Sequence, residues 1–169
     1  MIVSKIIDAL LRIDESRGCN VLRAYENMWG DILGLDSICS VCEYQDPIHL
    51  ATIVEKLNAE VVFGRTDITI WGYTVIDSMK AIVEMLPDQF QKIYGRSTAR
   101  ALIFTGVHSG KSPMVAVRVS NLKPGAVVLQ VLMPSEVSPI AIKIAQVENI
   151  PLLTTHFSVD EISIALSKG

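Results

Sequence analysis

The spacing of apolar residues changes character along the chain. Ile2, Ile6, Leu10 and Ile13 lie along one helical stripe with Ile7 and Leu11 beside them. From about 20 to 33, Val21, Leu22, Tyr25, Met28, Trp29, Ile32 and Leu33 form a second apolar face. Together they predict a helical hairpin. Gly34, Asp36 and Ser37 punctuate it, and Gln45, Asp46 and Pro47 mark the clearest boundary, because proline drives its predecessor into extended geometry. The chain is therefore expected to divide into a helical extension over 1–46 and an α/β domain over 47–169.

After Pro47 short apolar runs alternate with helical spacing. HLATIVEKL reads as a helix, NAEVVFG and ITIWGYTVI as strands, SMKAIVEML as a helix stopped by Pro87, and DQFQKIYG as a short helix ended by Gly95. ARALIFTG, KPGAVVLQVLMP and IPLLTT then read as three strands, with SVDEISIALSKG as a closing helix. PMVAVRVSN and SPIAIKIAQ alternate as strands would, at Val115, Val117 and Val119 and at Ile140, Ile142 and Ile144. Each nevertheless lies between two apolar strands, and each has a serine followed by proline, Ser112–Pro113 and Ser138–Pro139, which suits a helix with serine as N-cap. Both are taken as crossover helices, and the fold class expected is α/β, a mainly parallel sheet with flanking helices.

Composition narrows the function classes. Half of the 169 residues are hydrophobic and a fifth are charged, enough apolar material for a compact core. With 15 Lys and Arg against 18 Asp and Glu, the formal charge is −3 and no basic stripe accompanies an aromatic cluster, so nucleic acid is not expected as a partner. The first apolar stretch is broken by Lys5, Asp8 and Arg12 and no apolar run reaches membrane-spanning length, so the expected location is the cytoplasm. Cys19, Cys39 and Cys42 are an odd count and predict no disulfide framework. Cys39 and Cys42 have C-x-x-C spacing and could join Cys19 and His49 around zinc. One such pair is a weak signal, and buried thiols account for it, so no metal and no cofactor are expected.

The stretches IVEKLNAEVVFG, ITIWGYTVIDSM, RALIFTG, PGAVVL, SPIAIKIAQVENIPLLTT and FSVDEISIAL resemble, in order and spacing, the DRTGG domain, which is in turn similar to the N-terminal domain of HPr kinase/phosphorylase. The resemblance covers about 48–169, and its most specific part is the ending AQVENIPLLTT followed by a short helix. It implies a non-catalytic α/β module used for dimerisation and regulation, and hence a homodimer and no enzyme. The family's namesake threonine and two glycines are replaced here by LMPSEVSP at 132–139, so no ligand role is carried over to that turn.

IFTGVHSGKS at 103–112 is the motif with chemical content. Gly106 and Gly110 are separated by three residues where a nucleotide-hydrolysing phosphate loop has four, Pro113 follows the serine, and AVVLQVLMP ends without an acidic residue for magnesium. What survives is a strand-to-helix loop at a sheet edge whose N–H groups and Lys111 could meet a small anionic or nucleotide-like effector. The candidate ligand-binding residues are Thr105, Gly106, His108, Ser109, Gly110, Lys111 and Ser112, with Thr154 and Thr155 at the end of a neighbouring strand. His49, His108 and His156 stand in no arrangement with an activated serine or cysteine, so no catalytic residue is expected. The competing readings are an enzyme acting on a phosphorylated small molecule and a zinc-bearing interaction module.

Overall fold

The computed structural model describes residues 38–130 and 132–167. The two helices expected over 2–33 and Cys19 lie outside this range. Six strands form one sheet: β1 (Cys39–His49), β2 (Glu60–Phe63), β3 (Thr69–Asp77), β4 (Ala101–Thr105), β5 (Ala126–Gln130) and β6 (Leu152–Thr155), in the order β1-β3-β4-β5-β6-β2. The pairs from β3 to β6 are parallel, while β1 runs antiparallel to β3 and β2 antiparallel to β6. Among the described residues five α-helices accompany them: α1 (Leu50–Lys56), α2 (Ser78–Glu84), α3 (Lys111–Val119), α4 (Pro139–Glu148) and α5 (Val159–Ser167). Short 3-10 segments span Pro87–Tyr94 and Pro134–Glu136. The expected α/β class holds, including the two segments whose period alone suggested strands.

ALIFT, AVVLQ and LLTT are buried along their whole length, which is why they read as unbroken apolar runs: a parallel sheet is covered on both faces. Leu102, Phe104, Val127, Leu129 and Leu152 point to one side, where Met114, Val117, Ala141 and Ile144 of α3 and α4 meet them. Ala101, Ile103, Val128 and Leu153 point to the other, onto Leu50 and Ile53 of α1 and Ile162 and Leu166 of α5. Asp77 caps α2 by accepting from the Lys80 N–H at 3.0 Å. Ser138 caps α4 as expected, but α3 begins earlier than Ser112–Pro113 implied: its N-cap is Gly110, in the left-handed region at φ 78°. Ser158 and Glu161 bond reciprocally to each other's backbone N–H at the start of α5, where Asp160 and Glu161 also suit the helix dipole.

The boundary expected between Asp46 and Pro47 falls inside β1. Cys39–Glu43 pair with Gly72–Ile76, and the register then shifts before Ile48 and His49 pair with Ile70 and Thr69. Gln45, Asp46 and Pro47 occupy this irregularity, where a residue without an N–H costs no ladder bond. The proline thus marks a bulge, and residues before it belong to the sheet.

Glu43, on β1, makes a buried ion pair with Arg100 at the entry to β4. Arg100 is fully buried, and its guanidinium also donates to the Ser97 and Tyr73 carbonyls at 2.7 and 3.4 Å and to Thr74 Oγ1 at 3.2 Å. Glu43 Oε1 accepts in addition from the Arg96 N–H at 3.1 Å.

Candidate functional site

The four parallel strands end at one edge on polar residues: Asp77, Thr105, Gln130 and Thr155. The loop 106–110 leaves that edge between β4 and α3. Gly106 and Gly110 both take positive φ, 66° and 78°, the left-handed region that costs a side-chain-bearing residue energy. They differ in their surroundings. A Cβ on Gly106 would meet nothing, whereas one on Gly110 would run into the Leu129 side chain.

Gln130, which the sequence reading passed over, holds this edge together. Its Oε1 accepts from the Gly106 N–H at 2.8 Å and its Nε2 donates to the Phe157 carbonyl at 3.1 Å, so one buried side chain ties the β4–α3 loop to the β6–α5 loop. Its only signal in the sequence is a polar residue closing an apolar strand. The loop is fastened again where the Ser138 N–H donates to the Ser109 carbonyl at 2.8 Å.

The nine candidate residues fall into two groups. Thr105, Thr154 and Thr155 are buried. Thr105 Oγ1 donates to the Ile76 carbonyl at 3.2 Å. Thr155 Oγ1 donates to the Leu57 carbonyl at 2.8 Å and accepts from the Phe157 N–H at 3.2 Å, and Thr154 pairs with Glu60 of β2. These three support the edge from within. His108, Lys111 and Ser112 are exposed, Ser109 is half-buried, and together with Gly106 and Gly110 they line one small recess of about 80 Å³. The donor supply of the loop is smaller than its sequence suggested. Gly106 N–H is taken by Gln130, Lys111 N–H lies 3.4 Å from Ser109 Oγ, Pro113 has no N–H, and Met114 N–H returns to the Gly110 carbonyl at 3.2 Å. Within the first turn of α3 this leaves the Ser112 N–H, beside the Lys111 ammonium and the hydroxyls of Ser109 and Ser112.

A larger cavity of about 390 Å³ opens beside this recess, between α2, the 3-10 segment Pro87–Tyr94 and α3. Ile82, Met85, Leu86, Phe90, Phe104 and Ala116 supply most of its apolar wall. The sequence did not reveal it, because it depends on α2 standing away from α3.

The zinc reading fails on geometry. Cys39 and His49 pair with residues 76 and 69 of β3, and at about 3.3 Å per residue this separates them by roughly 20 Å. Cys39 is half-buried. Cys42, fully buried, is disulfide-bonded, so the expectation of reduced cysteines fails at this one. Among the described residues no group of three His, Cys, Asp or Glu could hold a metal ion, and no helix is long and apolar enough to cross a membrane.

No protein-family model matches the chain. It is 43% identical over 162 residues to an uncharacterised HTH-type transcriptional regulator of Methanocaldococcus jannaschii, a match covering 95% of this chain and 67% of the relative. A second such regulator, from Archaeoglobus fulgidus, is 41% identical over 162 residues, covering 95% of this chain and 69% of that one. The chain belongs to this family of HTH-type transcriptional regulators. About a third of each regulator lies outside the match. The expectation that nucleic acid is not a partner finds no support in these relatives, whose names stand against it. Among solved structures, the chain is similar to the CBS and DRTGG domains of the regulatory region of Clostridium perfringens pyrophosphatase, a structure complexed with its activator, diadenosine tetraphosphate. The TM-score is 0.50 at 15% identity, covering 98% of this chain and 56% of that one. This likeness is one of fold: the chain carries a DRTGG-like α/β architecture.

Proposed function

We propose that the chain is the non-catalytic regulatory module of a cytoplasmic HTH-type transcriptional regulator, a DRTGG domain that forms a homodimer and senses a small anionic or nucleotide-like effector at the β4–α3 loop. The observation that carries this reading is the placement of Lys111, His108 and Ser112, exposed together at the carboxyl edge of a parallel sheet, where α/β folds take their ligands. Family membership supplies the regulatory context, and DNA is then a partner of the whole regulator. An enzyme acting on phosphorylated substrates would need an oriented acid or base at Gly106; His108 lines the recess, but among the described residues no carboxylate does so to orient it. Exposed apolar side chains on α3 and α4, Val115, Ile140 and Val147, support self-association.

Thermal unfolding in the presence of inorganic phosphate, AMP, ATP and diadenosine tetraphosphate tests the effector reading. At least one should raise Tm by several degrees, since a ligand at a hundred times its Kd stabilises by about 2.7 kcal/mol. Lys111→Ala should remove the rise. No shift with any of the four overturns effector sensing, and a strict monomer by light scattering at micromolar concentration overturns the dimer.

A further inference from the structure

The recess at the loop and the apolar cavity between α2 and α3 adjoin and share part of their walls. Ser78, Ile82, Ser112 and Pro113 line both. The recess end carries the Lys111 ammonium, His108 and the start of α3, while the cavity end is walled by aliphatic and aromatic side chains. Among the described residues no carboxylate lines either part, and the ionisable groups that do are Lys111 and His108, so the charge these residues bring has one sign and lies at one end.

We infer that this site takes an aromatic phosphate, such as a nucleoside monophosphate, with its anionic head at Lys111 and its ring system in the cavity beside Ala116 and Phe90. The inference rests on the effector reading above and adds where the uncharged part of that effector goes. Dimensions agree: the cavity follows α3 from Ser112 to Val119, seven residues or about 10 Å at 1.5 Å per residue, the length of a ring joined to a sugar. Its volume of about 390 Å³ is in the range of small-molecule sites, which combine an apolar wall with a few polar groups. Gln91, Ser120 and Asn121 are such groups at the far end, within reach of the edge of a heterocycle. Phosphate alone would use the loop and leave the apolar wall exposed to water. The ring is what makes the site selective.

Calorimetric titration of the full chain with AMP, inorganic phosphate and adenosine separates the two parts. AMP should bind at least tenfold more tightly than phosphate. Ala116→Phe, which fills the cavity, should reduce AMP to the affinity of phosphate and leave phosphate unchanged, whereas Lys111→Ala should weaken both. If Ala116→Phe does not fold, Val119→Trp at the exposed far end of α3 should alter AMP affinity without altering that of phosphate. Phosphate binding as tightly as AMP overturns the inference and leaves the anion site standing. No binding of any anion overturns both. An Ala116→Phe variant that shifts the oligomeric state by light scattering, with AMP affinity unchanged, overturns the inference and assigns the cavity to a second copy of the chain.

Discussion

The N–H of Gly106 donates to Oε1 of Gln130 at 2.8 Å across the carboxyl edge of the sheet, and the same side chain reaches the Phe157 carbonyl at 3.1 Å. A leucine at 130 matches the volume of the glutamine and its buried position but satisfies neither backbone group. Gln130→Leu should cost about 2 kcal/mol in urea unfolding, the usual penalty for part-buried polar groups left without partners. Hydrogen exchange should speed up in both the 106–110 and the 156–158 loops. Faster exchange in one loop alone would mean that the two are not coupled through this residue.

Gly106 and Gly110 share a backbone conformation and differ in surroundings, so their alanine variants separate strain from crowding. Gly106→Ala should cost about 1 kcal/mol, the left-handed penalty alone, because open space surrounds it. Gly110→Ala should cost about 2–4 kcal/mol, because the new methyl also displaces Leu129 from the core. Equal losses of Tm would remove the role assigned to Leu129.

Removing one member of the Glu43–Arg100 pair should be worse than removing both. Arg100→Met leaves a carboxylate buried at the junction of β1 and β3, an expected loss of about 3–5 kcal/mol. The double variant Glu43→Leu with Arg100→Met should recover much of it. Chemical denaturation of the two variants decides between this and simple additivity.

Tyr44 and Tyr94 should resist ionisation. Burial pushes both phenols above their ordinary value near 10, and Tyr73 beside Tyr44 adds to its shift. A phenol whose pKa is higher in the folded than in the unfolded protein stabilises the fold fully below pH 10. That contribution is lost as the pH rises from there toward the folded value. Stability should therefore fall above pH 10, and the tyrosinate absorbance of these two residues should rise only with unfolding. Full ionisation in the native protein at pH 11 would contradict their burial.

Much of this architecture could be anticipated from residue order because its strands are buried on both faces and its helices are punctuated. Pro113 and Pro139 separated helix from strand where Val115–Val119 and Ile140–Ile144 alternated misleadingly, since proline fits a first helical turn and not a central strand. Proline also misled. Pro47 looked like a boundary because a bulge and a linker both tolerate a missing N–H, and pairing with β3 is a long-range fact that local sequence does not carry. The loop at Gly106–Ser112 was legible through its glycines. Gln130 and the cavity beside α3 were not, since both depend on which loops and helices end up as neighbours.

The Glu43–Arg100 pair bears on how the molecule can be dissected. A fragment beginning at Pro47, the natural place to cut by inspection, would lack residues 39–46 of β1 and leave the Arg100 guanidinium in the core without the carboxylate that meets it there. The segment that looks like an appendage supplies a counter-charge to the core. A fragment that keeps this pair and its strand has to include β1 from Cys39 onward.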